Sequence, residues 1–154
     1  MTYKVRFVEP DVHYARIKQE IDSVIQGILS KGDLVYRSQL KEFERNLAAF
    51  VGTRYAVGVN SGFHALHLSL IAADIRPGDE VITPAHTFLA AVSAIVHVRA
   101  KPVLVDVTQD YNVDATAVER AVTPKTKAIV PTHLNGRVCN MDALMDLAEK
   151  HNLI

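Results

Sequence analysis

The sequence is poor in several features that would fix a function class early. It has a single cysteine, Cys139, which excludes an internal disulfide framework and suits a reducing cytoplasm. It has no excess charge of either sign, with 17 Lys+Arg against 17 Asp+Glu. The net basic field of a nucleic-acid binder is therefore absent. It has no long apolar run. The longest, Phe88 to Val98, is broken by Ser93 and His97 and falls well short of the roughly 18 residues of a membrane span. Met1 to Pro10 is charged and carries no apolar signal core. Internal repeats and low-complexity segments are also missing. What is present is ordinary: 49% apolar and 22% charged residues, proportions that exclude disorder. A length of 154 residues is that of one ordinary domain. The expectation is a soluble, cytoplasmic chain with no membrane and no nucleic-acid partner.

Two regions differ in character. From Asp11 to about Val51 the pattern reads helix, turn, helix. Val12, Ile17, Ile21, Val24, Ile25, Ile28 and Leu29 recur at helical spacing, and Gly32 stops the run. Ser38 is placed to cap the second helix, Leu40, Phe43, Leu47 and Phe50 mark one face, and Gly52 closes it. From Tyr55 onward strands and helices alternate. Strands are expected at Tyr55–Val59, Glu80–Thr83, Pro102–Val107 and Lys127–Pro131. Helices are expected at Gly62–Ala73, Thr87–Val98, from Asp114 to near Val122, and from Asn140 to about His151. Arg76-Pro-Gly-Asp79 reads as a turn. Strands this apolar, separated by helices, imply a mostly parallel, doubly wound α/β sheet with both faces covered. The same rhythm calls for another strand after the last helix, with Leu153-Ile154 as its first two residues. The chain is on this reading the N-terminal part of a larger fold.

Three segments sit where chemistry is expected. Val59-Asn-Ser-Gly-Phe-His-Ala-Leu-His67 passes from a strand through glycine into a helix. Free N–H groups at a helix start attract phosphate, aided by the macrodipole. The segment is neither a Walker loop nor a Gly-x-Gly-x-x-Gly turn, so a plain structural turn stays open. Gly78-Asp-Glu-Val-Ile-Thr-Pro-Ala-His-Thr-Phe88 places an aromatic just past a strand's carboxyl end, the ligand edge of open α/β sheets. Phe88 is open between a core position and a stacking surface for a flat ring. Ile129-Val-Pro-Thr-His-Leu-Asn-Gly136 ends another strand, and brings His133 and Asn135 toward the same edge. A metal at His64 and His67 lacks the usual four ligands. A Ser61-His64-Asp79 triad lacks a Gly-x-Ser-x-Gly elbow.

Taken together these segments resemble the DegT/StrS family of sugar aminotransferases, which use pyridoxal 5′-phosphate (PLP). The likeness runs through Phe43-Glu44, Ala48 to Gly52, Tyr55-Ala56-Val57, Asn60-Ser-Gly62 and Ala65-Leu66. It continues with Pro77 to Pro84, Thr87-Phe88, Pro102-Val103, Val105-Asp106, Thr123 to Ile129, Pro131, His133, Gly136 and Met141-Asp142. The resemblance implies the aspartate-aminotransferase-like fold, with 1–52 as a helical N-terminal arm and 53–154 as an incomplete PLP-binding large domain. It implies a homodimer and transfer of an amino group, usually from glutamate, to a keto group of a nucleotide-linked sugar. By position, Gly62, Phe63 and His64 would hold the PLP phosphate through backbone N–H groups, and Phe88 would stack on the pyridine ring.

The sequence departs from the family pattern in places. Phe63 stands where a small hydroxyl residue is usual, His64 where a small or acidic one is, and Arg37 where many members have glycine. The larger departure concerns the Schiff-base lysine and the acid that pairs with the pyridinium nitrogen. Both follow the position of Ile154 in the family, and none of Lys4, Lys18, Lys31, Lys41, Lys101, Lys125, Lys127 or Lys150 matches. No catalytic residue and no metal ligand is therefore assigned in this chain. PLP is the cofactor of the complete family enzyme, this chain alone is expected to be inactive, and a non-catalytic binding module derived from the family is the alternative.

Overall fold

The computed structural model describes residues 5–32, 34–35 and 37–154. The chain divides into two compact units, Met1–Gly58 and Val59–Ile154. The first unit holds two helices. Helix α1 spans Pro10–Lys31 and opens on a proline, whose fixed φ suits a first turn that needs no N–H partner. Asp11 in its first turn and Lys31 in its last both match the helix dipole. Helix α2 spans Ser38–Val51. Ser38 is not its cap: Arg37 takes the cap position without a side-chain cap hydrogen bond, and the Ser38 hydroxyl is engaged with Gln39 Oε1 at 3.1 Å. As the first helical residue, Ser38 no longer has the extended backbone a cap requires.

The expected strand at Tyr55–Val59 does not form. The segment makes no ladder with another strand and Tyr55 and Val57 are each 78% exposed. Apolar alternation alone does not make a strand without a partner edge. Its carboxyl-terminal part is held by α2 instead, where Gly58 N–H donates to Glu44 Oε1 at 2.7 Å. A Cβ on Gly58 would come within 2.7 Å of the Leu40 side chain, so the close approach selects glycine.

The second unit is a three-stranded parallel sheet in the order β2-β1-β3, from β1 Glu80–Pro84, β2 Lys101–Val105 and β3 Thr126–Ile129. Helices α3 Gly62–Ala72, α4 Ala90–His97, α5 Ala115–Ala121 and α6 Met141–His151 accompany it. The strands alternate their side chains between two cores. Val81 and its partner Ala128 face Leu70 of α3, Ala94 and Ile95 of α4, and Val98 just after α4. Ile82, opposite both Val103 and Ile129, faces Val118, Leu144 and Leu147 of α5 and α6. Helices on both faces make the sheet doubly wound, as the apolar strands required.

Local chemistry fixes the connections. In Arg76-Pro-Gly-Asp79 the Asp79 N–H donates to Arg76 O at 3.1 Å, and Gly78 sits at φ +93°. That is the glycine position of a type II turn with proline before it. Asp114 caps α5 by accepting from Thr116 N–H at 2.8 Å, and Asn140 caps α6 by accepting from Ala143 N–H at 3.3 Å. Three expected elements are shorter, the first being β3, which spans Thr126–Ile129 and not Lys127–Pro131. Strand β2 ends at Val105, with Val107 turning back to bridge Val113 in antiparallel sense. Helix α4 starts at Ala90, not Thr87, because Thr87 is tied across the sheet edge to Thr132. At the chain's end, Ile154 N–H donates to Lys127 O at 3.0 Å and Ile129 N–H to Ile154 O at 2.8 Å. These two bonds bracket Ala128 in the pattern of a parallel bridge on the outer edge of β3.

Candidate functional site

The turn Arg76–Asp79 joins the end of α3 to the start of β1. Helix α3, with 11 residues, is about 16 Å long at 1.5 Å per residue. Strand β1, with 5 residues, rises about 16 Å at 3.3 Å each. The start of α3 therefore lies level with the carboxyl ends of the strands, where open α/β sheets take ligands.

Ser61 caps α3. Its Oγ accepts from His64 N–H at 3.2 Å and lies 3.0 Å from His64 Nδ1, while its carbonyl accepts from Ala65 N–H at 3.0 Å. Of the three backbone donors singled out in the sequence, His64 N–H is thus engaged. Gly62 and Phe63 N–H have no acceptor among the described residues. Nothing lies within 4 Å of the position a Gly62 Cβ would take, so that side of the turn is open. The Phe63 ring is turned away from them. It packs 5.0 Å from the His97 ring, stacks on His67 at 5.9 Å, and joins the α3–α4 core. Ser61 and His64 do meet, but Asp79 is at the other end of the sheet, accepting from Arg76 N–H at 2.8 Å. The hydrolase triad is not assembled.

The segment after β1 is stapled on two sides. Ala85 N–H extends the ladder to Val105 O at 2.9 Å. On the β2 side the His86 ring lies 5.6 Å from the Tyr111 ring. On the β3 side Thr87 Oγ1 donates to Thr132 Oγ1 at 3.0 Å. Phe88 follows and its side chain is in neither core: the residue is 80% exposed. An exposed phenyl ring at the ligand edge, held by a fixed backbone, can stack on a planar ligand.

Behind this edge lies a polar network. Cys139 N–H donates to His133 Nδ1 at 3.1 Å, and the buried Cys139 Sγ lies 3.2 Å from Thr132 O. Asn112, also buried, donates through Nδ2 to Val138 O and to Asp110 Oδ2, each at 3.2 Å. The Thr108 hydroxyl, and then Asn112 N–H, hold the Asp110 carboxyl below the usual carboxylate range. This turn sets Tyr111 at φ +67°. Sequence reasoning had placed His133 at the edge, but not the His86–Tyr111 pair or the Thr87–Thr132 bond. Both join residues far apart in the chain, and no local pattern marks them.

The chain matches the model of the DegT/DnrJ/EryC1/StrS aminotransferase family over residues 15–154. It belongs to that family. Among members of the DegT/DnrJ/EryC1/StrS family, it is 41% identical over 153 residues to the dTDP-3-amino-3,4,6-trideoxy-alpha-D-glucose transaminase of Streptomyces venezuelae, covering 99% of this chain and 40% of that protein. Among solved structures it is similar to S. venezuelae DesV in complex with a ketimine intermediate, with TM-score 0.94 and 41% identity over 99% of this chain and 41% of that one. It is also similar to NtdA of Bacillus subtilis with bound cofactor PMP, with TM-score 0.93 and 31% identity over 99% of this chain and 36% of the other. The chain thus spans about two fifths of the length of these family members. No helix among the described residues is long and apolar enough to cross a membrane.

Proposed function

We propose that this chain is the N-terminal portion of a PLP-dependent aminotransferase that moves an amino group from glutamate to a keto group of a nucleotide-linked sugar. On this proposal 1–52 is the helical arm and 53–154 the first part of the PLP-binding domain of a cytoplasmic homo-oligomer. The observation that carries it is the pairing of two uncommitted backbone donors, Gly62 and Phe63 N–H, with the exposed Phe88 ring at one end of the sheet. The donor set fits the cofactor. Two amide donors at a helix start suit a phosphate, and a phenyl face suits a pyridine ring. The similarity to a dTDP-amino-sugar transaminase supports the substrate class.

PLP, when bound, supplies the electron sink that lets an amino group move between carbons. In this chain Gly62 and Phe63 would bind the phosphate, Ser61 would keep His64 N–H out of that contact, and Phe88 would orient the ring. Among the described residues of the second unit, no lysine stands at this edge. Lys101 opens β2 and is paired with Glu80; Lys125 and Lys127 stand at the start of β3; Lys150 is in the last turn of α6, paired with Glu119. All four lie toward the amino end of the sheet, away from Phe88. The chain alone is therefore proposed to bind without turning over.

Three measurements test the proposal. The phosphorus resonance of PLP should shift and broaden when the chain is added; an unmoved resonance would count against the cofactor. Borohydride reduction of the mixture, followed by peptide mapping, should give no stoichiometric adduct on a single lysine. Glutamate and a keto-sugar nucleotide should likewise yield no amino sugar. Robust turnover would overturn the inactivity of the chain.

A further inference from the structure

His133 stands out because its chemistry is fixed from behind and free in front. A backbone amide can only donate, so the Cys139 N–H at 3.1 Å from Nδ1 makes that nitrogen the acceptor. The ring proton of the neutral imidazole is then on Nε2. Cys139 is a firm anchor: it is 4% exposed, and its Sγ lies 3.2 Å from Thr132 O and 3.5 Å from Asn112 Oδ1. Asn112, 3% exposed, is itself held by Val138 and Asp110. His133 is nevertheless exposed, and its Nε2 has no partner among the described residues. Thr132, directly before it, accepts the Thr87 hydroxyl at 3.0 Å, and Thr87 directly precedes Phe88. A ring with a free N–H and a ring with a free face thus hang from two residues joined by one hydrogen bond.

We infer that His133 is a further cofactor-binding residue: a neutral imidazole whose Nε2–H donates to an oxygen acceptor on PLP stacked at Phe88. The inference rests on the proposed function, which supplies the cofactor. The neighbouring hydroxyls of Thr87 and Thr132 are engaged with each other, and the His86 ring is turned to Tyr111. Cys139 and Asn112 act as positioning residues, since they touch the imidazole or its support and not the ligand.

The test is nitrogen-15 NMR of the imidazole rings in the full chain, with and without PLP. Without PLP, His133 should show a protonated Nε2 and an unprotonated Nδ1; the opposite tautomer overturns the inference, with no variant needed. With PLP, its Nε2 resonance should move. His133→Gln keeps an amide donor at about the reach of Nε2 and should bind PLP within about 3-fold of the native chain. His133→Ala should bind about 5- to 10-fold more weakly, the value of one hydrogen bond. If PLP binds and His133→Ala is unaffected, the inference fails while the proposed function stands. If PLP moves no resonance of the native chain, both fail together.

Discussion

Glu80 is the residue on which the amino end of the sheet converges. It is buried at the first position of β1, accepts from Thr123 Oγ1 at 2.6 Å, and pairs with Lys101 Nζ at 2.9 Å. One carboxylate thereby links the start of β2 to the residues leading into β3. The Thr123 hydroxyl first, and Lys101 second, hold its carboxyl below the usual carboxylate range. A depressed folded pKa contributes stability that is present above the unfolded value, about 4.3. It is lost as pH falls through the folded value. Glu80→Gln should therefore lower Tm at neutral pH and flatten the acid side of the stability profile. Melting curves from neutral to acid pH check this; parallel profiles for the two proteins would contradict it. Nothing in Gly-Asp-Glu-Val marks Glu80 as buried, because its partners arrive from the start of β2 and from the residues leading into β3. Asn140 and Asp114 were legible as caps, since a cap's partner is two or three residues away in the chain. Phe88 was legible by position, and only its exposure separates a core ring from a free one.

At the scale of elements, the alternation of Val81 and Ile82 between two cores explains why the parallel sheet could be read from apolar strands. Ile82 is fully buried against α5 and α6. Ile82→Ala should cost about 2–5 kcal/mol, as large-to-small core changes do, measured by denaturant unfolding. Asn140→Ala removes only the first-turn bond of α6 and should cost about 1 kcal/mol. If the two variants were equally destabilised, the two-core description would be wrong. The elements that sequence misplaced share a cause. Tyr55–Val59 has strand-like residues but no partner edge, and the first turn expected of α4 is drawn off by Thr87 toward Thr132. In both, a contact remote in sequence, or its lack, outweighs local propensity.

At the scale of the molecule, many large apolar side chains stand exposed among the described residues. Helix α1 buries none of its residues, and Phe43, Phe50 and Val51 of α2 are exposed. Beside the free edge of β3, a cavity of about 150 Å³ is lined by Leu66, Leu70, Ala91, Ala128, Val130 and Ile154. Exposed edges and patches of this kind drive association, so sedimentation should show the chain self-associating; a monodisperse monomer would contradict this. Fold class and family were legible because apolar rhythm and motif order extend along the whole sequence. The turn at Ser61, Phe88 and His133 were legible as one edge by position, but the His86–Tyr111 and Thr87–Thr132 contacts that hold it were not, because each joins segments far apart in the chain.

The central claim is that Gly62 and Phe63 form a phosphate cradle at the same sheet edge as Phe88. The most direct measurement follows the backbone amide resonances of the isotopically labelled chain during titration with PLP, and with pyridoxal lacking the phosphate. The Gly62 and Phe63 amides should shift saturably with PLP and stay in place with pyridoxal. Amides at Gly62 and Phe63 that ignore PLP, or respond equally to both compounds, would contradict it.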